Sequence, residues 1–219
     1  MKNDFIITLA WPEGLVAAAG AWYDSLLATN GKYRVGHSAL ALVDSATSKI
    51  QYLDFGRYHT PDGFGRIRDA ETDPDTGIKQ KAKINGNKIN NIEEILVAIS
   101  NNKSYHGEGT LYSSVISSVN CNKALKYAKK WQEKAAIPYG PFVRNGTNCS
   151  RFVAIITRKA EPSFFKKVRL KYPFCISPSP KRNVSIANTT YYIVKKLKCI
   201  KINRSTLKAY FGGIEKKYE

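Results

Sequence analysis

The chain has 219 residues, of which 43% are hydrophobic and 24% are charged, and its formal net charge is +18. This composition is ordinary for a soluble globular protein and is sufficient for one substantial core. No apolar run has the length of a transmembrane helix, so the sequence predicts no membrane-spanning helix. The start, MKNDFIITLAWPEG, lacks the pattern of a secretory signal peptide. We therefore expect a single domain, residues 1–219, that stays in the cytoplasm.

The first half of the chain has a β-rich pattern. FIITLAW (5–11) predicts a short buried strand, and EGLVAAAGAWYDSLLATNG predicts a helix that ends at Gly31. GHSALALVD and KIQYLDFGRY flank a polar turn and predict a β-hairpin. Residues 60–91 are rich in Asp, Gly, Asn and Thr. They predict a long loop or inserted flap, with at most a short strand at IKQKAKI.

The second half alternates helical and β-like patterns. NIEEILVAISNN predicts a short helix and GTLYSSVISS a strand. CNKALKYAKKWQEKAA has a helical period with Asn120 as its N-cap. After the loop IPYGPFVRNGTN, CSRFVAIITRKA predicts a helix that is broken near Pro162. Residues 163–219 predict a basic C-terminal extension with β-like runs and a short final helix. The whole pattern indicates an α+β protein.

The positive charge is concentrated in the second half. Residues 1–120 hold 12 Lys and Arg against 13 Asp and Glu, whereas residues 121–219 hold 23 against 4. A field of this kind attracts polyanions, so an anionic polymer or a membrane surface is a candidate partner. A solvated basic surface is the alternative. The sequence has no RNA-binding signature, zinc finger or helix-turn-helix, so we expect no specific recognition of nucleic acid.

Cys149 is the best candidate for a reactive side chain. It follows the loop GTN and opens an apolar helix, where the free N–H groups of the first turn favour a thiolate and could later hold an oxyanion. Arg151 adds positive charge nearby. Cys121 also follows an Asn at a helix start and is a lower-ranked alternative, because it lacks the preceding Gly-containing loop. A buried structural thiol is the other interpretation of Cys149.

The base is chosen from only three histidines, His37, His59 and His106. His37 begins the β-run GHSALALVD, where a strand would hold its ring rigidly. His59 and His106 lie in Gly-containing loops and are expected at the surface, although either position is compatible with a cleft. No Cys or His cluster has the spacing of a zinc finger, so we expect no metal site.

The ordered set GHSALALVD, ALKYAKKWQEKAAIPYGPF and NCSRFV resembles the circularly permuted branch of the NlpC-type papain-like superfamily. That branch includes the YiiX-like and lecithin retinol acyltransferase-like proteins, in which the histidine strand precedes the cysteine helix. The resemblance covers roughly residues 33–58 and 122–158. It implies a permuted papain-like fold, with an antiparallel sheet packed against the nucleophile helix, and no cofactor. It also implies Cys149 as nucleophile and His37 as general base and acid.

The same resemblance implies a third polar residue, on the strand after the histidine, that orients the imidazole ring. A tight hairpin centred near Ala46 would place Asp54 opposite His37, so Asp54 is the first choice. A register slip of one residue would turn Asp54 to the other face. His59 and Gln51 are the substitutes.

Three further residues are candidates for binding the oxyanion or the substrate: Tyr139, Asn148 and Ser150. The predicted function is thiol-dependent hydrolysis or acyl transfer on a peptide, amide or acyl ester through an acyl-thioester. The alternative is a catalytically inactive papain-like module whose basic half binds an anionic polymer or a membrane surface.

Overall fold

The computed structural model describes residues 3–17, 32–34, 36–173, 179–211 and 214, with the backbone alone at 15–17, 32–34 and 210–211. Most of the described chain belongs to an antiparallel sheet with helices on both faces, so the predicted α+β class is confirmed. No helix within these ranges is long and apolar enough to cross a membrane. The remainder of the helix predicted up to Gly31, and Cys175, lie outside the described residues.

Twelve strands are described. They are β1 (Asp4–Trp11), β2 (Leu15–Ala17), β3 (Lys32–Arg34), β4 (His37–Val43), β5 (Ile50–Gly56), β6 (Phe64–Arg68), β7 (Ile84–Asn85), β8 (Lys88–Ile89), β9 (Leu111–Val119), β10 (Ile137–Pro138), β11 (Thr190–Lys195) and β12 (Lys198–Asn203). Eight of them form one sheet in the order β10-β6-β5-β4-β1-β9-β11-β12, and β2–β3 and β7–β8 form two small hairpins. All pairings between these named strands are antiparallel.

Six α-helices are described beside the strands. They are α1 (Ile92–Asn101), α2 (Cys121–Gln132), α3 (Cys149–Lys159), α4 (Phe164–Lys171), α5 (Pro180–Ala187) and α6 (Thr206–Phe211). Apolar residues of α2 and α3 pack on one face of the sheet, and those of α1 pack on the other. Successive strand residues point to opposite faces, so β1 can serve both cores: Ile6 belongs to the α2–α3 side and Phe5 and Ile7 to the α1 side.

The central hairpin of β4 and β5 has a different register from the one predicted. Ala39, not His37, is paired with Asp54, because the connecting loop runs from Asp44 to Lys49. The Asp44 carboxylate accepts hydrogen bonds from the N–H groups of Ala46 and Thr47, which fixes this longer turn. The register therefore differs by two residues. A shift of two keeps every side chain on its predicted face, so Asp54 still lies on the same side as His37.

Several predicted elements are confirmed and several are wrong. The strand at 5–11, the β4–β5 hairpin, the helix at Ile92–Asn101 and the two cysteine-initiated helices are confirmed. The helix predicted from residue 13 is wrong where the backbone is described, because Leu15–Ala17 pairs as a strand with Lys32–Arg34. The loop predicted over 60–91 contains β6, and its IKQKAKI run forms a strand only at its last residue. Residues 163–219 supply β11, β12 and three helices, so their strands belong to the main sheet.

Candidate active site

The site begins at the N-terminus of α3. The Asn148 side chain accepts a hydrogen bond from the N–H of Arg151 at 2.8 Å, which caps the helix. Cys149 is the first residue of the helix and is buried. The Arg151 guanidinium donates to the carbonyl of Pro141 at 3.1 Å and thereby ties the preceding loop to the helix start. This arrangement holds the sulfur at a helix end where backbone N–H groups lack helical partners.

His37 lies at the start of β4 and is held by its neighbours. Gly36 adopts a left-handed φ of +65°, and a Cβ there would lie 2.1 Å from the backbone oxygen of Trp11. Only glycine therefore fits this close turn into the strand. The Trp11 indole stacks on the imidazole of His37, with ring centroids 5.9 Å apart and planes 21° from parallel. The ring of His37 is thus fixed by backbone geometry on one side and by an aromatic face on the other.

Asp54 is hydrogen-bonded to the imidazole ring of His37. Its Oδ2 lies 3.1 Å from Nε2 of His37, and the carboxylate is fully buried. Burial alone would raise the pKa of Asp54, but hydrogen bonds with His37 and Arg68 outweigh it and lower the pKa to about 2. Asp54 is therefore a carboxylate at every pH near neutrality, and it can orient and stabilise an imidazolium.

Arg68, directly opposite Asp54 on β6, stabilises this buried charge together with His37. Its Nη2 and Nε donate to the two oxygens of Asp54 at 2.6 and 3.1 Å, which is a bidentate pair. The hydroxyl groups of Tyr52 and Tyr58 donate to Oδ2 at 3.0 and 2.9 Å. The guanidinium also stacks over the Tyr58 ring at 3.5 Å. The fully buried carboxylate thus has four side-chain partners, which are His37, Arg68, Tyr52 and Tyr58.

A second arginine of β6 holds Tyr58 in place. The Arg66 Nε donates to the Tyr58 carbonyl at 2.7 Å, and its two terminal nitrogens form a bidentate pair with Asp73, both at 2.7 Å. Arg66 and Arg68 are two residues apart, so they lie on the same face of the strand. β6 therefore supports the site at two points: Arg68 binds the Asp54 carboxylate, and Arg66 binds the backbone of Tyr58 beside it.

The thiol and the imidazole shift each other's protonation. Burial alone would raise the pKa of Cys149, but hydrogen bonds with the His37 ring, Ser150 and the Ser38 N–H lower it overall. Burial alone would lower the pKa of His37, but its bonds to Asp54 and Cys149 raise it to about 9. Both changes favour a thiolate beside an imidazolium. Such a pair is a nucleophile next to a proton donor, which is the combination needed for acyl transfer.

Cys149 and His37 come together at the end of the sheet, from its two opposite faces. Residues of α3 pack with Leu40 and Leu53 on one face. His37 stacks on Trp11 and bonds to Asp54, both on the other face. The sulfur at the start of α3 therefore approaches the imidazole beside the first residues of β4, where the Ser38 N–H helps to lower the pKa of the thiol.

The remaining predicted site residues are placed as follows. Asn148 caps α3, and Ser150 is buried with its carbonyl accepting from the Asn183 amide at 2.8 Å. The Tyr139 ring stacks on Phe55 at 5.7 Å, in the core beside α3. Its role in oxyanion binding stays a prediction.

The two substitutes for the third residue do not take Asp54's place. Gln51 is three residues from Asp54 on β5, so it points to the opposite face. His59 is exposed in a left-handed turn after the strand. His106 is also exposed, but its ring stacks on Tyr58 at 5.3 Å, which puts it at the edge of the site.

Cys121, the lower-ranked nucleophile, is buried in a different environment. Its Sγ donates to the Phe5 carbonyl at 3.3 Å, and burial together with the nearby Asp4 carboxylate raises its pKa to about 12. Cys199 is partly buried on β12, and burial raises its pKa to about 11. No imidazole acts on the pKa of either thiol.

Sequence reasoning did not find Arg68, Tyr58 or Trp11. Arg68 lies in a segment whose Gly and Asp content predicted a loop, and only the pairing of β5 with β6 brings it to Asp54. The signal that could have found it is the alternation in FGRIR, which places Phe64, Arg66 and Arg68 on one face of a strand and Ile67 on the other. Among the described residues no group of three or more His, Cys, Asp and Glu side chains could hold a metal ion.

Comparison with known proteins gives two similarities. A family model described as "Type VI secretion system effector TseH-like" matches residues 6–163, which is more than half of the chain. The crystal structure of the type VI secretion system effector TseH is similar, with a TM-score of 0.63 and 18% sequence identity, over 91% of this chain and 98% of that chain. At this identity the structural likeness concerns the fold alone. A comparison with curated proteins gives no match.

Proposed function

This chain belongs to the TseH-like family of type VI secretion system effectors, and we propose that it is a papain-like cysteine hydrolase. Cys149 is the nucleophile, His37 the general base and acid, and Asp54 the residue that orients the imidazole. The order of histidine strand before cysteine helix supports the permuted arrangement within the NlpC-type superfamily.

One observation carries the proposal: a buried cysteine at a helix N-terminus lies beside a histidine that is hydrogen-bonded to a buried carboxylate. The pKa of the thiol is lowered and that of the imidazole is raised. A buried structural cysteine has no such partners, and burial alone raises its pKa, as at Cys121. The environment of Cys149 is therefore that of a nucleophile.

In the first half of the reaction, the Cys149 thiolate attacks the carbonyl carbon of the substrate and forms a C–S bond. The carbonyl electrons move to oxygen, and the resulting oxyanion accepts hydrogen bonds from N–H groups at the start of α3. Asn148 already accepts from Arg151 N–H, so the N–H groups of Cys149 and Ser150 are the candidates. The imidazolium of His37 then protonates the leaving group as its bond to carbon breaks.

In the second half, His37 is neutral and removes a proton from water, which attacks the acyl-thioester. The C–S bond breaks, the acid product leaves, and the thiolate–imidazolium pair is restored. Asp54 stays ionised throughout because its pKa is about 2. Its part is to hold the ring in one orientation and to stabilise the imidazolium in both halves.

The raised pKa of His37 favours an amide over an ester as substrate. An amine leaves an amide only after its nitrogen is protonated, whereas an alkoxide or phenolate leaves with less help. A histidine with a pKa near 9 is protonated at neutral pH before the reaction begins, so the proton is available at the leaving nitrogen. We place peptide and other amide substrates before acyl esters.

Membership of an effector family also changes the expected place of action. A secretion system effector acts after it has left the cell that makes it, so we propose a secreted protein in place of the cytoplasmic one. Cell-wall peptides then become the first amides to test.

The test measures the release of new amino groups from purified bacterial peptidoglycan, with a p-nitrophenyl ester as the ester probe. We expect release by the wild type, and none by Cys149→Ala or His37→Ala. Cys121→Ala is the matched control and should retain activity. Release at the same rate by Cys149→Ala would refute the assignment. No release from either probe, with Cys149 no more reactive than a free thiol, would favour a catalytically inactive module.

A further inference from the structure

Helix α4 presents an apolar face that nothing in the described chain covers. Phe164 and Phe165 are 73% and 74% exposed, and Tyr172, which ends the helix, is 58% exposed. Together with Val168 they lie within an arc of about 100° when projected at 100° per residue. Two aromatic side chains left in water at this level are unusual for a surface helix, because burial of each would be favourable.

The opposite side of α4 is fixed to the fold. Leu170 packs with Ala154 of α3 and Ile186 of α5. The Arg169 guanidinium donates to the Ala209 carbonyl at 3.0 Å. The exposed aromatic residues are therefore carried by a helix whose orientation is set by the core.

The segment of the chain that carries this face is strongly basic. Residues 162–214 contain twelve Lys and Arg and no Asp or Glu. Lys167 and Lys171 are exposed on α4 itself and lie beside one edge of the apolar arc. The same stretch also carries seven of the nine exposed large apolar residues among those the structure describes. Exposed apolar side chains and an excess of positive charge thus occur in the same segment.

We propose that α4, through Phe164, Phe165, Val168 and Tyr172 with Lys167 and Lys171, binds the surface of an anionic lipid bilayer. The rings would enter the boundary between headgroups and acyl chains, while the lysines contact the headgroup phosphates. This is the arrangement of an amphipathic helix that lies in the membrane interface. The family match ends at residue 163, so this surface is additional to the matched segment.

A membrane fits this surface better than a soluble anionic polymer. A polyanion would be held by the lysines alone and would leave both phenylalanine rings in water. A bilayer supplies an apolar layer for the rings directly beneath a layer of negative charge, which matches both features of α4.

The test is sedimentation with vesicles of phosphatidylcholine alone and of an equal mixture with phosphatidylglycerol, using the full chain. We expect binding to the mixed vesicles and at least tenfold weaker binding to phosphatidylcholine. Phe164→Ser with Phe165→Ser should weaken binding to the mixed vesicles by about tenfold or more. Lys167→Gln with Lys171→Gln should weaken it by roughly fivefold for each lysine.

Two controls match these variants. Leu207→Ser removes an apolar side chain that is 71% exposed on α6, and Lys198→Gln with Lys201→Gln removes the same charge from β12. Both are expected to bind nearly as the wild type does. The rate of Cys149 alkylation, unchanged in every variant, verifies that each is folded, and this readout does not depend on vesicle binding.

Three results would overturn the proposal. The wild type could fail to bind mixed vesicles. The double Phe variant could bind them as the wild type does, which would leave only the attraction of charge and favour a polyanion. A dimer in sedimentation velocity that the Phe variant abolishes would instead assign the face to a second copy of the chain.

Discussion

Two helix starts in this protein have nearly the same local sequence and opposite chemistry. Helices α2 and α3 each begin with a cysteine that follows an asparagine N-cap, in NCN and NCS. Asn120 and Asn148 each accept a hydrogen bond from the N–H three residues later, at 2.9 and 2.8 Å. Both cysteines are buried, at 5% and 6% exposure. By capping, burial and helix position the two thiols are equivalent.

The difference lies in what faces each sulfur across the sheet. Cys121 faces the carbonyl groups of Phe5 and Val43, with the carboxylate of Asp4 on its own backbone N–H. Each of these groups is a hydrogen-bond acceptor or carries negative charge, so none of them stabilises a thiolate. Cys149 instead meets the imidazole of His37 and the N–H of Ser38. A helix N-terminus alone therefore does not lower the pKa of a thiol in this protein. The groups that face the sulfur determine the direction of the pKa shift.

The largest expected contrast is in alkylation. At pH 6, iodoacetamide should modify Cys149 at least roughly a hundredfold faster than Cys121, because only the thiolate reacts and the two pKa values shift in opposite directions. Peptide mapping by mass spectrometry after a timed reaction measures both sites in one sample. Cys121→Ala should leave the Cys149 rate unchanged. Comparable labelling of the two sites in the folded protein would contradict the comparison.

Removing the imidazole should make the two cysteines alike. His37→Ala takes away the hydrogen bond and the positive charge that lower the pKa of Cys149, while burial remains and raises it. The Cys149 alkylation rate at pH 6 should fall by about a hundredfold. His106→Ala, which removes an exposed ring at the edge of the site, is the matched control and should change the rate less than threefold, a margin of about 0.6 kcal/mol. An unchanged rate in His37→Ala would exclude the pair.

Arg68 is expected to act on Cys149 through Asp54 and His37, as a positioning residue. Arg68→Met leaves a buried carboxylate without its bidentate partner, so the pKa of Asp54 should rise and stability should fall by about 3 kcal/mol. With Asp54 more easily protonated, the imidazolium loses support, and the acid limb of Cys149 alkylation should move to higher pH. A purely structural role would lower the melting temperature and leave that limb in place.

Two variants complete that experiment. Arg68→Lys keeps the charge and should restore part of the pH profile. Arg66→Met breaks the neighbouring pair with Asp73, which is partly exposed, and is expected to cost about 1 kcal/mol with no shift of the limb.

The smallest effect is the pH dependence of unfolding, which is best measured in Cys149→Ala. The pKa of Asp54 is lowered to about 2 from 3.8, so its stabilisation is present above pH 4 and is lost as the pH falls towards 2. Asp54 also raises the pKa of His37 above 6.5, so that stabilisation is present below pH 6.5 and is lost as the pH rises further. Each change should be roughly 2 kcal/mol in denaturant titrations.

The control for this titration is Cys149→Ala combined with His37→Gln, in which the alkaline change should disappear and the acid change should remain reduced but present, since Arg68 still pairs with Asp54. Cys121→Ala should not alter either limb. A flat profile between pH 2 and 5 would contradict the buried carboxylate.

The sequence predicted the strands and helices whose pattern is local. β1 and the β4–β5 hairpin have apolar runs bounded by turn residues, and α2 and α3 have Asn caps followed by apolar residues at helical spacing. The elements it missed depend on distant partners. FGRIR looks polar because its two arginines are neutralised only by Asp54 and Asp73 in the fold. Helices α4 and α5 lie in a Pro- and Lys-rich segment and depend on packing against α3 and, for α5, against the sheet.

The site was predictable to a similar extent. Cys149 and His37 could be chosen because few cysteines and histidines compete. Asp54 was chosen through a register that was two residues out, and it was placed on the correct side only because strand side chains repeat every two residues. The longer turn depends on how Asp44 bonds to Ala46 and Thr47. That detail of hydrogen bonding does not follow from residue type alone.

The strand order also sets when the thiol can acquire its reactivity during synthesis. β1, the first strand, lies between β4 and β9. The middle of the sheet is therefore complete only after β9 has been synthesised and Val115 has paired with Ile7. The nucleophile is made later still, more than a hundred residues after its base. Contacts of such long range form slowly, after the local hairpins. Until α3 has been synthesised and has packed beside His37, Cys149 is an ordinary thiol. The newly made chain therefore has no activated nucleophile that could react with other molecules.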